Sequence, residues 1–306
     1  MTTSQIPAVS AKTGPTGQQV RPDRPTRAFR WAYLIPAVVL VGLWALAPAA
    51  YTLWRSFFGD EFVAPTFSGL AGYGQVLTDP AIIKSMINTV IWLIGTVIIP
   101  GGLGLAIASL TESVSWGKWP RLLIVLPYAL SGTAVAVVWN FMLQENGAIN
   151  DLLINVGLGG LTHAWLLSWP LNTIVMVLAN SWQASGVAVI LYLVGLQGIP
   201  QETIEAAALD GVAGVKRFFL IIFPQLRNTT AIVLGISLAN GLKSFDFIWV
   251  LTQGGPGRST ETLALSMYWQ SFVLQRPGTG AAITVILSIL VVAVSVGYLQ
   301  RQLKEQ

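Results

Sequence analysis

Met86-Ile-Asn-Thr-Val-Ile-Trp-Leu-Ile-Gly-Thr-Val-Ile-Ile-Pro-Gly-Gly-Leu-Gly-Leu-Ala-Ile-Ala-Ser-Leu110 contains no Asp, Glu, Lys or Arg. A helix needs an apolar run of about 20 residues to cross the hydrocarbon core of a bilayer. Trp31–Trp54 and Leu122–Gln144 are equally free of charge, as is the whole stretch Leu152–Gln201. Over 306 residues only 10% are charged and 54% are hydrophobic. Soluble domains carry about 25% charged residues. The composition excludes a soluble enzyme, a disordered tail protein and a disulfide scaffold. It also excludes a transmembrane barrel, whose strands read as short alternating segments. The sequence predicts an all-α polytopic membrane protein with six transmembrane helices. They fall at Trp31–Trp54, Met86–Leu110, Leu122–Gln144, Leu171–Leu196, Asn228–Leu251 and Thr279–Leu299.

The ends divide cleanly from the middle. Residues 1–29 are rich in Thr, Pro, Gln and Gly and read as a disordered cytoplasmic tail. The first apolar run is too long for a signal peptide, and no small-residue cleavage site follows it. Residues 30–300 form the six-helix transmembrane domain and residues 301–306 a short cytoplasmic end. Lys and Arg set the orientation. With the N-terminus inside, Lys12, Arg21, Arg24, Arg27, Arg30, Lys118, Arg121, Lys216, Arg217, Arg227, Arg301 and Lys304 are cytoplasmic. Only Arg55, Lys84, Arg258 and Arg276 are outside. That bias places both termini in the cytoplasm of a plasma (inner) membrane. Trp31, Trp54, Trp116, Trp119, Trp165 and Trp169 sit near span ends, as an interfacial aromatic belt does.

The segment between spans four and five, residues 199–226, is the most polar part of the second half. It contains Pro200-Gln-Glu-Thr-Ile-Glu-Ala-Ala-Ala-Leu-Asp-Gly211, then Val215-Lys-Arg-Phe-Phe-Leu-Ile-Ile-Phe-Pro224. Pro200 suits a first helical position, Glu202 a first turn and Gly211 a helix stop. A second short helix is expected from about Val215 to just before Pro224. Ile204, Ala207 and Ala208 share one face, with Glu202 and Glu205 on another. Two short helices joined by glycine on the cytoplasmic side make a surface for a soluble partner. The plain alternative is an ordinary surface loop, because Glu-Ala-Ala-Ala-Leu is simply a good helix former.

This segment resembles the EAA motif of permease subunits of bacterial ABC importers. That motif reads Glu-Ala-Ala, three residues, Gly, nine residues, Ile-x-Leu-Pro. Here the corresponding residues are Glu205-Ala206-Ala207, Gly211 and Ile221-Ile222-Phe223-Pro224, with Phe223 the one departure. The resemblance implies a type I ABC importer permease fold with a cytoplasmic coupling helix. Glu205, Ala206, Ala207, Asp210, Gly211 and Pro224 would then transmit closure of an ATPase dimer to the membrane helices. A second stretch, Leu251-Thr-Gln-Gly-Gly-Pro-Gly257 followed by Thr260-Glu-Thr-Leu263, is similar to the end of span five in carbohydrate permeases of the maltose and glycerol-phosphate type. Leu53-x-x-Ser56-Phe57 and Gly147-x-x-Asn150 fit the same class. The likeness covers about residues 30–300.

Polar residues inside the spans are the candidate substrate contacts. Ionisable groups at membrane depth are costly and face the bundle interior or a watery cavity. Lys243 and Asp246 lie three apart in span five, with Asn240, Ser244 and Phe245 beside them. Hydroxyl donors and acceptors together with an aromatic ring suit a sugar; a structural ion pair between Lys243 and Asp246 is the alternative. The resemblance, carried through the Gly-Gly-Pro turn, puts sugar contacts at Ser237, Asn240, Gly241 and Ser244. Lys243 and Asp246 depart from it. In span four Asn180, Trp182, Gln183 and Ser185 form a second patch, or else serve interhelical hydrogen bonding.

Other classes lack their residues. There is no Cys, one His (His163) and, in the spans, one Asp, so no intramembrane hydrolase or metal centre can be built. No Gly-x-x-x-x-Gly-Lys-Ser/Thr phosphate loop is present. The chain therefore needs no cofactor of its own; ATP and Mg would be bound by the partner ATPase. A secondary transporter would carry inverted repeats, and none stands out. The resemblance implies a second homologous permease, two ATPase subunits, an extracytoplasmic solute-binding protein, a sugar substrate and surrounding membrane lipid as partners. The net charge of +4 is spread along the chain rather than gathered in a nucleic-acid patch.

Overall fold

The computed structural model describes residues 35–304 except 113, 115 and 243. The expected tail at 1–29, the start of the first span at Trp31 and Lys243 lie outside the described residues. The chain divides into two compact units, one ending at Ala50 and one starting at Tyr51. In the first, the helix Ile35–Val41 runs into a π-turn at Gly42–Leu46. There the Ala47 N–H reaches back to the Gly42 carbonyl. The looser turn sits just ahead of Pro48, which has no N–H to continue the ordinary ladder.

In the second unit, all regular structure among the described residues is helical apart from one bridge, Phe58 to Phe67. The helices used below are α1 (Pro80–Glu112), α2 (Gly132–Met142), α3 (Leu171–Gln197), α4 (Gln201–Leu209), α5 (Arg227–Leu242), α6 (Phe245–Thr252) and α7 (Pro277–Lys304). Asp79 starts α1: its Oδ1 accepts the Ala81 N–H at 2.8 Å, with Pro80 at the first helical position. α1 and α3 form the central pair. A Cβ on Gly104 would lie 2.5 Å from the Ala188 Cβ and 2.9 Å from the Ala188 carbonyl carbon. Small residues let the two backbones approach this closely, which gives packing energy where lipid supplies no hydrophobic drive. Around the pair are two clusters. One joins Trp92, Met176 and Val177 to Phe247, Ile248 and Leu251. The other joins Ala108, Tyr192 and Leu196 to Val233.

Among the described residues, four helices are long and apolar enough to cross a membrane: Val38–Arg55, α1, α3 and Pro277–Tyr298. Two bent pairs bring the number to six if each is one span: Lys118–Ala129 with α2, at 108°, and Gly214–Gln225 with α5, at 71°. Two expected spans are therefore not single helices. Leu122–Gln144 breaks around Pro127, and Ser131 caps the new helix by accepting the Ala134 N–H at 3.2 Å. Asn228–Leu251 falls on two helices, α5 and α6, with Ser244 the turn residue ahead of α6. Its two halves bury their apolar sides in different clusters, Val233 in one and Phe247, Ile248 and Leu251 in the other.

Candidate functional site

The loop after α3 folds into the two helical pieces expected, with two adjustments. Pro200 is the residue before the helix, with extended ψ of 132°, rather than its first turn. α4 then stops at a Schellman motif. Gly211 takes φ of +73°, its N–H bonds to the Ala208 carbonyl at 3.1 Å, and the Val212 N–H bonds to the Ala207 carbonyl at 2.8 Å. The second piece does not end before Pro224. It runs Gly214–Arg217, a π-turn Phe218–Ile222 and Phe223–Gln225. The Phe223 N–H bonds to the Phe218 carbonyl, five residues back, and the wider turn carries the helix past the proline. Ala207 is 5% exposed and forms the inward side of α4. Glu205, Ala206, Ala208, Asp210, Gly211 and Pro224 are exposed. So is Leu209, at 91%. Ala208 thus departs from the face that it was expected to share with Ala207. Lys216 and Arg217 stand at the end of the first piece of the second arm, followed by Phe219 and Leu220, both exposed.

At the other end of α3 the Gly-Gly-Pro turn is built in the opposite way. Gln253, Gly254, Gly257 and Arg258 all have positive φ, and the Gly255–Pro256 bond is cis. Ser259, Thr260, Glu261 and Thr262 are nonetheless buried. Asn88 of α1 holds the turn: its Nδ2 donates to the Ser259 and Glu261 carbonyls at 2.8 and 2.9 Å. Its Oδ1 accepts from Trp169 Nε1 at 2.9 Å and Thr173 Oγ1 at 3.1 Å. Asn172 Nδ2 donates to Ser259 Oγ at 2.8 Å. The Glu261 carboxylate, 2% exposed, accepts from Arg258 Nε and Nη2 at 2.9 and 3.0 Å and from Ser266 Oγ at 2.6 Å. The other motif positions are similarly used. Ser56 Oγ donates to the Leu53 carbonyl and lies 2.6 Å from the Tyr73 hydroxyl. Asn150 Nδ2 donates to the Glu145 and His163 carbonyls, each at 2.9 Å. In the nearby loop the Glu61 carboxyl is held below its usual range, first by its own backbone N–H and further by the Thr66 backbone and hydroxyl.

The expected substrate residues of the fifth span are distributed over α5, Ser244 and α6. Ser237 and Gly241 are buried on α5, and a Cβ on Gly241 would lie against Thr96 of α1. Asn240 is exposed. Ser244 sits before α6, and Asp246 is exposed in its first turn. Asn240 and Ser244 therefore do not share one face of a continuous helix. In span four, Gln183 Nε2 donates to the Leu130 carbonyl at 2.7 Å, at the break before α2. Trp182 packs edge-on to Trp139, and both line a largely apolar cavity of about 480 Å³ with Trp165 and Leu143. Sequence reasoning missed Asn88, Asn172 and Glu261. The signal for Asn88 was present, since it is a carboxamide inside the charge-free run Met86–Leu110, where polar groups are expensive.

Residues 98–305 match the family described as binding-protein-dependent transport system inner membrane component. A probable ABC transporter permease of Pyrococcus horikoshii is 35% identical over 273 residues, covering 87% of this chain and 93% of that one. The alpha-glucoside transport system permease AglF of Rhizobium meliloti is 32% identical over 281 residues, covering 90% and 82%. In structure, the chain is similar to a bacterial ABC transporter involved in import of the acidic polysaccharide alginate. The TM-score is 0.75 at 18% identity, over 90% of this chain and 95% of that one.

Proposed function

This chain belongs to the family of inner membrane components of binding-protein-dependent transport systems, and we propose that it forms one half of the permeation path of an importer for a sugar or oligosaccharide. It is the transport component and not the catalytic subunit. ATP and Mg bind a separate ATPase. A second, homologous permease completes the path, and an extracytoplasmic binding protein delivers the solute. Both termini face the cytoplasm, and the chain makes six crossings, the fifth being α5 with α6. A sugar substrate is supported by the alpha-glucoside relative and by hydroxyl-matching groups at Asn240 and Ser244.

One observation carries the coupling role of α4. It is a short exposed helix with Glu205 and Asp210 on its surface, an abrupt left-handed stop at Gly211 and an apolar tip at Leu209. A surface of this kind suits a cleft on the ATPase. The reading is tested by reconstituting this chain with its ATPase, second permease and binding protein in vesicles. Uptake of labelled sugars is expected to require ATP inside the vesicle and binding protein outside it. Uptake by this chain without an ATPase would overturn the importer. ATP-driven uptake of a charged non-carbohydrate solute, with no sugar taken, would overturn the substrate class alone.

A further inference from the structure

The arm Gly214–Gln225 carries an unpartnered surface distinct from α4. It lies at 71° to α5. α5 and α6 together run from Arg227 to Thr252, and a crossing needs about 20 residues. The arm therefore has no need to cross. Its own charges argue the same way, because Lys216 and Arg217 would be expensive at membrane depth. Val215, Phe219 and Phe223 recur four apart and are 74, 60 and 40% exposed, with Leu220 at 58% beside them. Phe218, Ile221 and Ile222 turn toward the protein, being half-buried. The Nε of Arg217 is enclosed and has no hydrogen-bond partner, and Arg227 is exposed just past the arm's end.

A helix set well away from the span axis, with an apolar stripe and cations at its head, has the build of an in-plane interfacial helix. Resting on the importer reading, which puts this arm on the cytoplasmic side, we propose that Gly214–Gln225 lies in the inner-leaflet interface and holds an anionic phospholipid. Phe219, Leu220 and Phe223 would enter the acyl region. Lys216 would face the phosphodiester, with the half-buried Arg217 adding its charge beside it. The charge fits: the cytoplasmic leaflet is the anionic one, and basic residues near it are attracted to it. α4 is thereby left to the ATPase and the arm to the membrane.

The chain has no cysteine, so Phe219→Cys gives it one site for a nitroxide label in a complex whose other subunits are made cysteine-free. The complex is placed in nanodiscs of phosphatidylcholine with increasing phosphatidylglycerol. The label is expected to be relaxed by oxygen and not by a water-soluble nickel chelate. Relaxation by nickel, or by neither because the ATPase covers the site, would overturn the proposal; Leu220→Cys repeats the test if the first variant does not assemble. The second arm uses K216Q with R217Q. The phosphatidylglycerol content that half-maximally supports binding-protein-stimulated ATPase is expected to rise roughly fivefold for each charge removed. An unchanged midpoint would overturn the lipid contact. Failure of the importer reading is seen separately, as no stimulated ATPase in any lipid.

Discussion

The two glycine-marked turns at opposite ends of α3 look alike in sequence and are built oppositely. Gly254–Thr262 has a run of positive φ angles, yet its polar groups are buried, tied to α1 and α3 by Asn88 and Asn172 and braced internally by the Arg258–Glu261 pair. Gly198–Gly214 closes α4 with backbone bonds alone and exposes Leu209. A buried polar group without a partner costs about 1–3 kcal/mol, and within the first turn Ser259, Thr260 and Glu261 all find partners in this chain, Thr262 Oγ1 being the exception. The second leaves an apolar surface for something outside it. The first turn is held by side chains of α1 and α3, whereas the second leaves most of its residues to solvent.

Substitutions at the two ends should separate the roles, beginning with the largest effect on folding. Asn88→Ala removes two donated and two accepted hydrogen bonds at one buried point. The complex is expected to lose about 3 kcal/mol or more of stability, read as a sharply lowered melting temperature in detergent. A melting temperature equal to that of the parent would remove the turn's claim to be architecture. Glu261→Gln should cost less, about 2 kcal/mol, because Arg258 is partly exposed and recovers some hydration. The same melting assay reads it, and a gain in stability would mean that the pair is a burden rather than a clamp.

At the other end the effects move from stability to coupling. Gly211→Val meets open space, so its cost is the left-handed backbone alone, about 1–2 kcal/mol, taken locally at an exposed stop. The variant is expected to reach the membrane while binding-protein-stimulated ATPase falls roughly tenfold. Normal uptake by this variant would break the assignment of α4 to coupling. The smallest effect on folding is expected for Asn240→Ala, since the side chain is exposed; surface changes usually stay within about 0.5 kcal/mol. If Asn240 meets the solute, uptake should still drop about tenfold at normal protein level. Unchanged uptake would move the solute path off the end of α5.

The sequence reached far on the fold because its strongest signal is a solvent rule. A charge-free run longer than a bilayer must be a helix, and Lys and Arg then argue its direction. Gly211 was also readable, since a glycine closing Glu-Ala-Ala-Ala-Leu-Asp matches a local backbone need. Gly104 was not, because what it touches lies 84 residues away, at Ala188. Asn240 and Ser244 lie four apart, a spacing that puts them on one face only while the helix is unbroken.

Composition, charge placement and local turn chemistry thus determined the class of protein, its helices and the short exposed element after α3. All of these depend on residues close in sequence or on the bilayer. Tertiary structure alone decided that the fifth expected span is interrupted at Ser244, and that Asn88 and Glu261 are clamps. It also decided that Ala207 faces inward while Leu209 stands free. Each of these turns on which helix lies opposite, and hydrophobic periodicity is the same whichever partner the packing supplies.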